Sequence, residues 1–420
     1  MKTMKIGTGG SIPHNGFMKL LVLAQTPPPM HGQSIMVQTL VEGLGQVAGE
    51  ACEGKPRIEV HHVNLALSRD AGDIGRARVA KIFTLLSACV RTLWMRVRIG
   101  GRVTLYYVPA PAKRAALYRD WMAMCLLRPF FTNLVLHWHA SGLGEWLATK
   151  ATAPERWLTR LFLDRAALSI VLAPELASDA QVLRPRKISV VANGLDVTAC
   201  GENSKSQNPK SQINPEIPNP KFQKADIPNQ NPGGSGNLRC ELLYLGACTR
   251  EKGIFAALDA LSILERENPG EYSLTIAGAF ADLAEERVFH ERIADDDALR
   301  RRVHYSGPAD SARKHALYAA AGIFVFPTHY AHEAQPLVLI EALAHDLPIV
   351  TTRWRAIPGM LPRNAHVQLA NPGATPRQLA DAIRAAHAAG PANGTLRAHY
   401  EAHFTREAHL LALARALLEI

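Results

Sequence analysis

Short apolar runs alternate with longer amphipathic stretches through most of the chain, the pattern of parallel strands joined by crossover helices. In the first half the strand-like runs are Lys19 to Gln25, Glu59 to Leu65, Val103 to Val108, Asn133 to Trp138, Ser169 to Ala173 and Ile188 to Val191. Helical spacing is read from about Ile35 to Leu44, from Arg78 to Val97 and from Lys113 to Leu127. Along the Arg78 stretch Val79, Ile82, Phe83, Leu86, Val90, Leu93 and Val97 share one face, opposite Lys81, Thr84, Ala88 and Arg91. An apolar stripe of that width is expected to cover a sheet. The second half repeats the pattern, with strands at Glu241 to Leu245, Tyr272 to Ala277, Val303 to Ser306, Ile323 to Phe326, Pro348 to Thr352 and His366 to Leu369. Helices are expected up to Glu267, over Asp310 to Ala320, through Leu337, Ile340, Leu343 and Ala344, over Pro376 to Ala388, and at Thr405 to Leu418.

The pattern breaks twice. Residues 1–18 are glycine-rich without periodicity, and residues 199–237 turn to Asn, Pro, Lys, Gln and Ser. Too few apolar side chains remain there to offset ordering entropy, so both are expected to be disordered, the second as a linker. A chain of 420 residues exceeds one usual core. The breaks therefore suggest an α/β domain over 19–198, another over 238–404, and a last helix within 405–420.

Charge and cysteines narrow the setting. No run approaches the roughly 18 apolar residues of a membrane span, and Leu20 to Ala24 is too short for a signal-peptide core. Six cysteines without paired spacing argue for a reducing cytoplasm and against a zinc site or disulfide frame. The net charge is +10, and twelve Lys and Arg against three Asp lie between Arg69 and Arg128. Such clustering points to an acidic partner. Its cations are interleaved with aliphatics and no nucleic-acid motif accompanies them, which leaves an anionic membrane surface or lipid phosphate rather than DNA or RNA.

Candidate chemistry concentrates in one stretch. After the Ile323 strand, a polar loop from Thr328 to Gln335 carries Glu333, and Pro336 stands where a first helical position is expected. Glu341 rides on the helix that follows. This spacing can offer both carboxylates to one ligand at a helix N-terminus, where free amides favour phosphate. Earlier, Thr26 to Ser34 forms a strand–loop–helix turn around Gly32, and His139 follows a strand at what would be a cleft edge. No G-x-G-x-x-G follows the first strand, which argues against a dinucleotide oxidoreductase.

The stretch Phe326 to Thr352 resembles the E-x7-E signature of retaining glycosyltransferases of family 4. Glu333, Pro336, Leu337, Val338, Glu341, Ala342, Ala344 and Pro348 match it, while Ala334 and Asp346 stand where glycine is usual. Gly246 to Gly253 is similar to the family's G-R-L-x-x-E-K-G loop; Lys252 matches its lysine, Ala247 replaces its arginine, and Arg250 is the cation available instead. The loop containing Gly32, the His137-x-His139 element and the Val190 to Asp196 exit resemble further family elements. The resemblance implies a GT-B architecture, two Rossmann-like domains facing a central cleft, with the terminal helix packing back on the first. It implies retaining transfer of a sugar from a nucleotide-diphosphate donor to a saccharide or lipid-linked acceptor, in surface polysaccharide or glycolipid synthesis. Glu333 and His139 would be catalytic; Lys252, Arg250, Ala334, Gln335, Pro336, Leu337, Glu341, Gly246 and Gly32 would bind the donor. No metal is expected, because no Asp-x-Asp cluster stands at a strand end and a lysine clamp can neutralise the diphosphate. A cytoplasmic protein resting on the inner membrane face is compatible with the basic cluster. A nucleotide-sugar epimerase of the same fold and a silent sugar-nucleotide binding module are the alternatives.

Overall fold

Every apolar run read as a strand is one, and all of them pair in parallel, as buried Val, Leu and Ile runs between crossover helices require. A computed structural model describes residues 17–50, 57–66, 79–197 and 239–420. The expected N-terminal extension up to residue 16 and the Asn/Pro-rich 199–237 segment lie outside the described residues.

The first sheet contains β1 (Met18–Ala24), β2 (Ile58–Asn64), β3 (Val103–Tyr107), β4 (Asn133–Trp138), β5 (Leu168–Val171) and β6 (Ile188–Val190), in the order β2-β1-β3-β4-β5-β6. Its helices are α1 (Gly32–Glu50), α2 (Val79–Ile99), α3 (Arg114–Leu127), α4 (Leu143–Thr149), α5 (Ala153–Leu163) and α6 (Ala177–Gln181). The short apolar spacing of α4 to α6 escapes a periodicity reading. A capping box marks α5: Thr152 accepts from the Glu155 amide and the Glu155 carboxylate accepts from the Thr152 amide.

The second sheet holds β7 (Cys240–Leu245), β8 (Tyr272–Ala277), β9 (Val303–Gly307), β10 (Ile323–Phe326), β11 (Ile349–Thr352) and β12 (Val367–Ala370), ordered β12-β11-β10-β7-β8-β9. Helices α7 (Ile254–Glu267), α8 (Leu283–Asp295), α9 (Asp297–Arg302), α10 (Ser311–Ala320), α11 (Leu337–Ala344), α12 (Ile357–Met360), α13 (Pro376–Ala389), α14 (Thr395–His403) and α15 (Arg406–Leu418) complete the described chain. Strand order reverses between β7 and β10, so the loops after these two strands flank a switch point, where a doubly wound sheet opens a crevice. In the first sheet the reversal lies between β1 and β3.

One sequence expectation is overturned on the side of the first sheet covered by α2 and α3. Helix α2 turns Leu85, Ala88, Cys89 and Thr92 to the core, while Ile82, Phe83, Leu86, Val90, Trp94 and Val97 face outward. The sheet there is already lined by large strand residues, among them Leu21, Leu105 and Tyr107, and small side chains at 88, 89 and 92 let the helix sit close. Trp121 is buried on α3. Its neighbour Asp120 is buried too, accepting from the Tyr107 hydroxyl and the Ala110 amide, each at 2.7 Å, and pairing with Arg119 at 2.9 Å. Much of the charge on α3 thus serves packing.

The last helix, α15, crosses to the first domain and buries Leu410, Leu413, Ala414 and Leu417 against Leu20, Val37, Leu40 and Leu44. At the crossing Leu195 and Thr405 form a parallel bridge, with Leu195 N to Phe404 O at 2.9 Å and Arg406 N to Leu195 O at 3.0 Å. Gly194 makes room: a Cβ there would stand 2.2 Å from the Thr405 carbonyl oxygen and 2.6 Å from the His409 Cβ. Gly194→Ala is expected to cost about 1–3 kcal/mol through overpacking, read as a lower urea midpoint. An unchanged midpoint would mean that this crossing is loosely packed.

Candidate active site

Two loops at the switch point of the second sheet bring Lys252 and Glu333 together. The first follows β7, from Gly246 through a 3-10 turn at Arg250–Lys252 to α7. It is drawn in by Gly253, which takes φ +90; a Cβ there would lie 2.4 Å from the Pro327 carbonyl oxygen. Glycine alone satisfies both demands. The second loop follows β10 and carries Glu333, 7% exposed. Lys252 Nζ donates to Glu333 Oε2 at 2.6 Å, and Thr328 Oγ1 donates to the same oxygen at 3.1 Å. The ammonium also stands 4.7 Å from the Tyr330 ring centroid. A half-buried charge pair of this kind gains from low local dielectric, and removing one partner leaves the other uncompensated.

The remaining site positions fall into two groups. Glu341 lies on the α11 face toward α10, where it is paired with Lys314 and accepts from the Tyr318 hydroxyl at 3.0 Å. Tyr318 also donates to the Val338 carbonyl at 3.0 Å, fixing α10 against the first turn of α11. Leu337 opens that helix, with Pro336 one position earlier than expected, as its N-cap. Its φ of −65° is the ring's own value, so the entry angle is preset either way. Gly246 sits against the Phe326 ring and takes φ +151. Arg250 turns aside to stack on Phe255, its guanidinium carbon 4.5 Å from the ring centroid.

Ala334 and Gln335 reach across the cleft instead. Ala334 is buried within the apolar cluster of the first domain, where its methyl replaces the hydrogen of a glycine. Gln335 Oε1 accepts from the Asn193 amide at 2.6 Å, and Asn193 Nδ2 donates to the Gln335 carbonyl at 3.2 Å. Ser141, after β4, donates through its hydroxyl to the Glu333 carbonyl, and its own amide donates to the His332 carbonyl at 3.3 Å. Arg355 pairs with Glu145 at 2.8 Å on the rim. The first-domain loop at Gly32 closes on the same place: a Cβ on Gly32 would lie 3.5 Å from Leu337.

His139 belongs to a histidine cluster facing this loop. Its ring centroid is 4.2 Å from that of His137, which lies 6.4 Å from His409 on α15. Burial holds the His139 imidazole down to about 3, helped by His409 and His31. Burial likewise pushes His409 down to about 4, against the opposing effect of its bond to the Ala192 carbonyl at 2.6 Å. His137 is held well below its ordinary range by burial and its histidine neighbours. Its Nδ1 takes the Tyr106 hydroxyl, leaving Nε2 without a protein partner among the described residues. No group of three or more His, Cys, Asp or Glu among the described residues is arranged to hold a metal ion.

Sequence reasoning missed Thr328, Lys314, Tyr318, Ser141 and His409. Lys314 and Tyr318 share one α10 face, but nothing in their spacing names Glu341 as partner. Ser141 stands between His139 and Gly142, a place where a hydroxyl aimed across a cleft is locally indistinguishable from a turn residue.

Residues 239–388 match the family described as Glycosyl transferases group 1. Glycogen synthase from Mycobacterium tuberculosis is 36% identical over 115 residues, 27% of this chain and 25% of that protein. The chain thus spans about a quarter of the length of the curated relatives it matches. In fold it is similar to a sucrose-phosphate synthase from Thermosynechococcus elongatus, at TM-score 0.67 and 17% identity over 94% of this chain and 98% of that one. HepE from Anabaena, in complex with UDP-glucose, aligns at TM-score 0.64 and 15% identity over 96% of this chain and all of that one.

Neutral histidines in the folded chain link its stability to pH. An unfolded chain takes up imidazole protons near pH 6.5, whereas folded His409 does so only near 4. Below pH 6.5 the unfolded state therefore binds more protons, and stability present above that pH is lost as pH falls toward 4. Thermal melts from pH 8 to 4.5 are expected to show this decline, and His409→Gln to make it shallower; an identical slope in the variant would remove His409 from the account.

The matched second domain and the full-length fold likeness support a single placement: the chain has the GT-B fold of glycosyltransferases, with residues 239–388 matching the group 1 family.

Proposed function

We propose that the protein is a retaining glycosyltransferase that moves a sugar from a nucleoside-diphosphate donor to a saccharide or lipid-linked acceptor, in surface polysaccharide or glycolipid synthesis. The observation that carries this reading is the Glu333–Lys252 pair at the switch point, beside the N-terminus of α11. A carboxylate and a cation held together in a crevice supply the two things a sugar diphosphate needs. In the donor complex Lys252 exchanges Glu333 for diphosphate oxygens, neutralising the leaving group as negative charge develops. Glu333, released, accepts from donor sugar hydroxyls while Thr328 keeps its orientation. Glu341, braced by Lys314 and Tyr318, accepts from the ribose diol. The free amides at the start of α11 favour the β-phosphate. That the complex of HepE contains UDP-glucose supports a uridine donor as the first to try.

Glu333 is not proposed as a covalent nucleophile. A retaining hydrolase flanks its bond with two carboxylates about 5 Å apart, whereas the first-domain side chain set against the Glu333 backbone is the hydroxyl of Ser141. Same-face transfer through a short-lived oxocarbenium ion suits one carboxylate. His139, neutral throughout the physiological range, offers a hydrogen bond rather than a charge to the reacting sugar.

Glu333→Gln is expected to cut turnover by roughly a hundredfold, the scale of one preorganised transition-state contact. Glu341→Ala is expected to weaken donor binding by about 1.5–3 kcal/mol, with turnover at saturation little changed. Steady-state kinetics with a UDP-sugar separate the two; equal losses confined to donor affinity would overturn this division. Lys252→Ala is expected to raise the donor Kd by calorimetry, and EDTA to leave transfer intact. Loss in EDTA restored by manganese would assign the phosphate clamp to a metal instead. Donor turnover without any acceptor, giving an epimerised nucleotide sugar, would favour an epimerase.

A further inference from the structure

On α2 the face turned away from the sheet is apolar along its length: Phe83, Val90, Trp94 and Val97 are 68, 66, 59 and 80% exposed. These four positions fall within a narrow arc of the helical wheel, so they form a stripe rather than scattered spots. Solitary exposed apolar residues need no explanation, whereas a continuous stripe with two aromatics does. Along one edge of it run Arg91 and Arg98, the latter with its guanidinium carbon 5.1 Å from the Trp94 ring centroid. The sequence contains no Asp or Glu from Val79 to Arg119. Among the described residues no carboxylate pairs with Arg91 or Arg98.

We infer that this outer face of α2 is a docking surface for an anionic phospholipid bilayer. An apolar stripe bordered by unpaired cations is the composition of a helix lying in a membrane interface. The aliphatic and aromatic groups enter the acyl boundary while the arginines meet headgroup phosphates. A second copy of the chain is the poorer occupant, because a two-fold pairing of α2 with itself sets the same arginines against each other. Among the described residues no helix is long and apolar enough to cross a membrane, so attachment through α2 is peripheral.

The helix also has a direction. It runs antiparallel to β2 and β3, from the carboxyl edge of the sheet, where the cleft lies, to the amino edge. Phe83 therefore stands on the cleft side, and a bilayer along α2 passes beside the cleft mouth. This point alone rests on the transferase reading, for which it supplies a lipid-linked acceptor; the docking does not depend on it.

The test is co-sedimentation of the full chain with vesicles of phosphatidylcholine alone and with about 30% phosphatidylglycerol, at about 50 and 500 mM salt. Expected are binding to the anionic vesicles at low salt and at least a roughly tenfold loss at high salt. A similar loss is expected in Phe83→Ser/Trp94→Ser and in Arg91→Glu/Arg98→Glu. Circular dichroism and UDP-sugar affinity are measured on the same samples and are expected to match the parent, which separates failed docking from a failed fold or donor site. Trp fluorescence is expected to shift blue on the anionic vesicles, but not in Trp94→Phe. Equal binding to neutral vesicles, no binding, binding indifferent to both double variants, or a dimer in solution dissolved by Phe83→Ser/Trp94→Ser would each overturn the inference.

Discussion

The backbone of the Thr328–Gln335 loop cannot satisfy itself, and the cleft is built around that fact. A loop turning sharply between β10 and α11 has polar groups that neither element can pair. The Glu333 and His332 carbonyls are met by Ser141, and the Gln335 carbonyl by Asn193, all from the first domain. The carboxylate of Glu333 is held by Lys252 and Thr328 of its own domain, while its backbone is held from the other. Neither domain alone holds this arrangement, which explains why Ala334 is buried in the core of the other half. Its methyl fills space that a glycine would leave empty, at the expense of backbone freedom beside Glu333.

Topology sets the position and side chains set the charge. The reversal of strand order between β7 and β10 puts two loop ends in one crevice, and Gly253 lets the first of them approach Pro327 closely enough for Lys252 to reach Glu333. The resulting pair is self-neutralising in the absence of ligand, so a single uncompensated charge is never buried. On the proposed reading, a diphosphate inserted here would replace one anion at Lys252 by another, and the crevice would stay balanced. The same economy appears at Glu341, which Lys314 and Tyr318 hold ready.

How much of this was legible in the residues follows from the range of each signal. Strands were readable because burial on both faces makes an unbroken apolar run, a property of the run itself. Glu333 and Glu341 stood out in the residues because carboxylates beside a helix N-terminus are a local signal, whereas Lys252 was picked out by the family resemblance. The outward turn of α2 was not: periodicity finds an apolar face but says nothing of which side the sheet takes. Here Ala88 and Cys89 win the inner position by size, since close packing rewards small residues against a bulky sheet. The partners Ser141, Tyr318 and His409 were hidden for a different reason, because each meets its target through the fold rather than along the chain.

The crossing at Gly194 and Thr405 has a mechanical meaning. The chain passes between the domains twice, once through Leu195 to Val197 and once through Phe404 to Arg406, and the two passes are bonded side by side. The single bridge between Leu195 and Thr405 ties the two passes side by side at one point, so a displacement of one carries the other with it. His409 packs against Gly194, and Gln335 bonds to Asn193 one position before it, so the loop carrying Glu333 is moored next to this crossing.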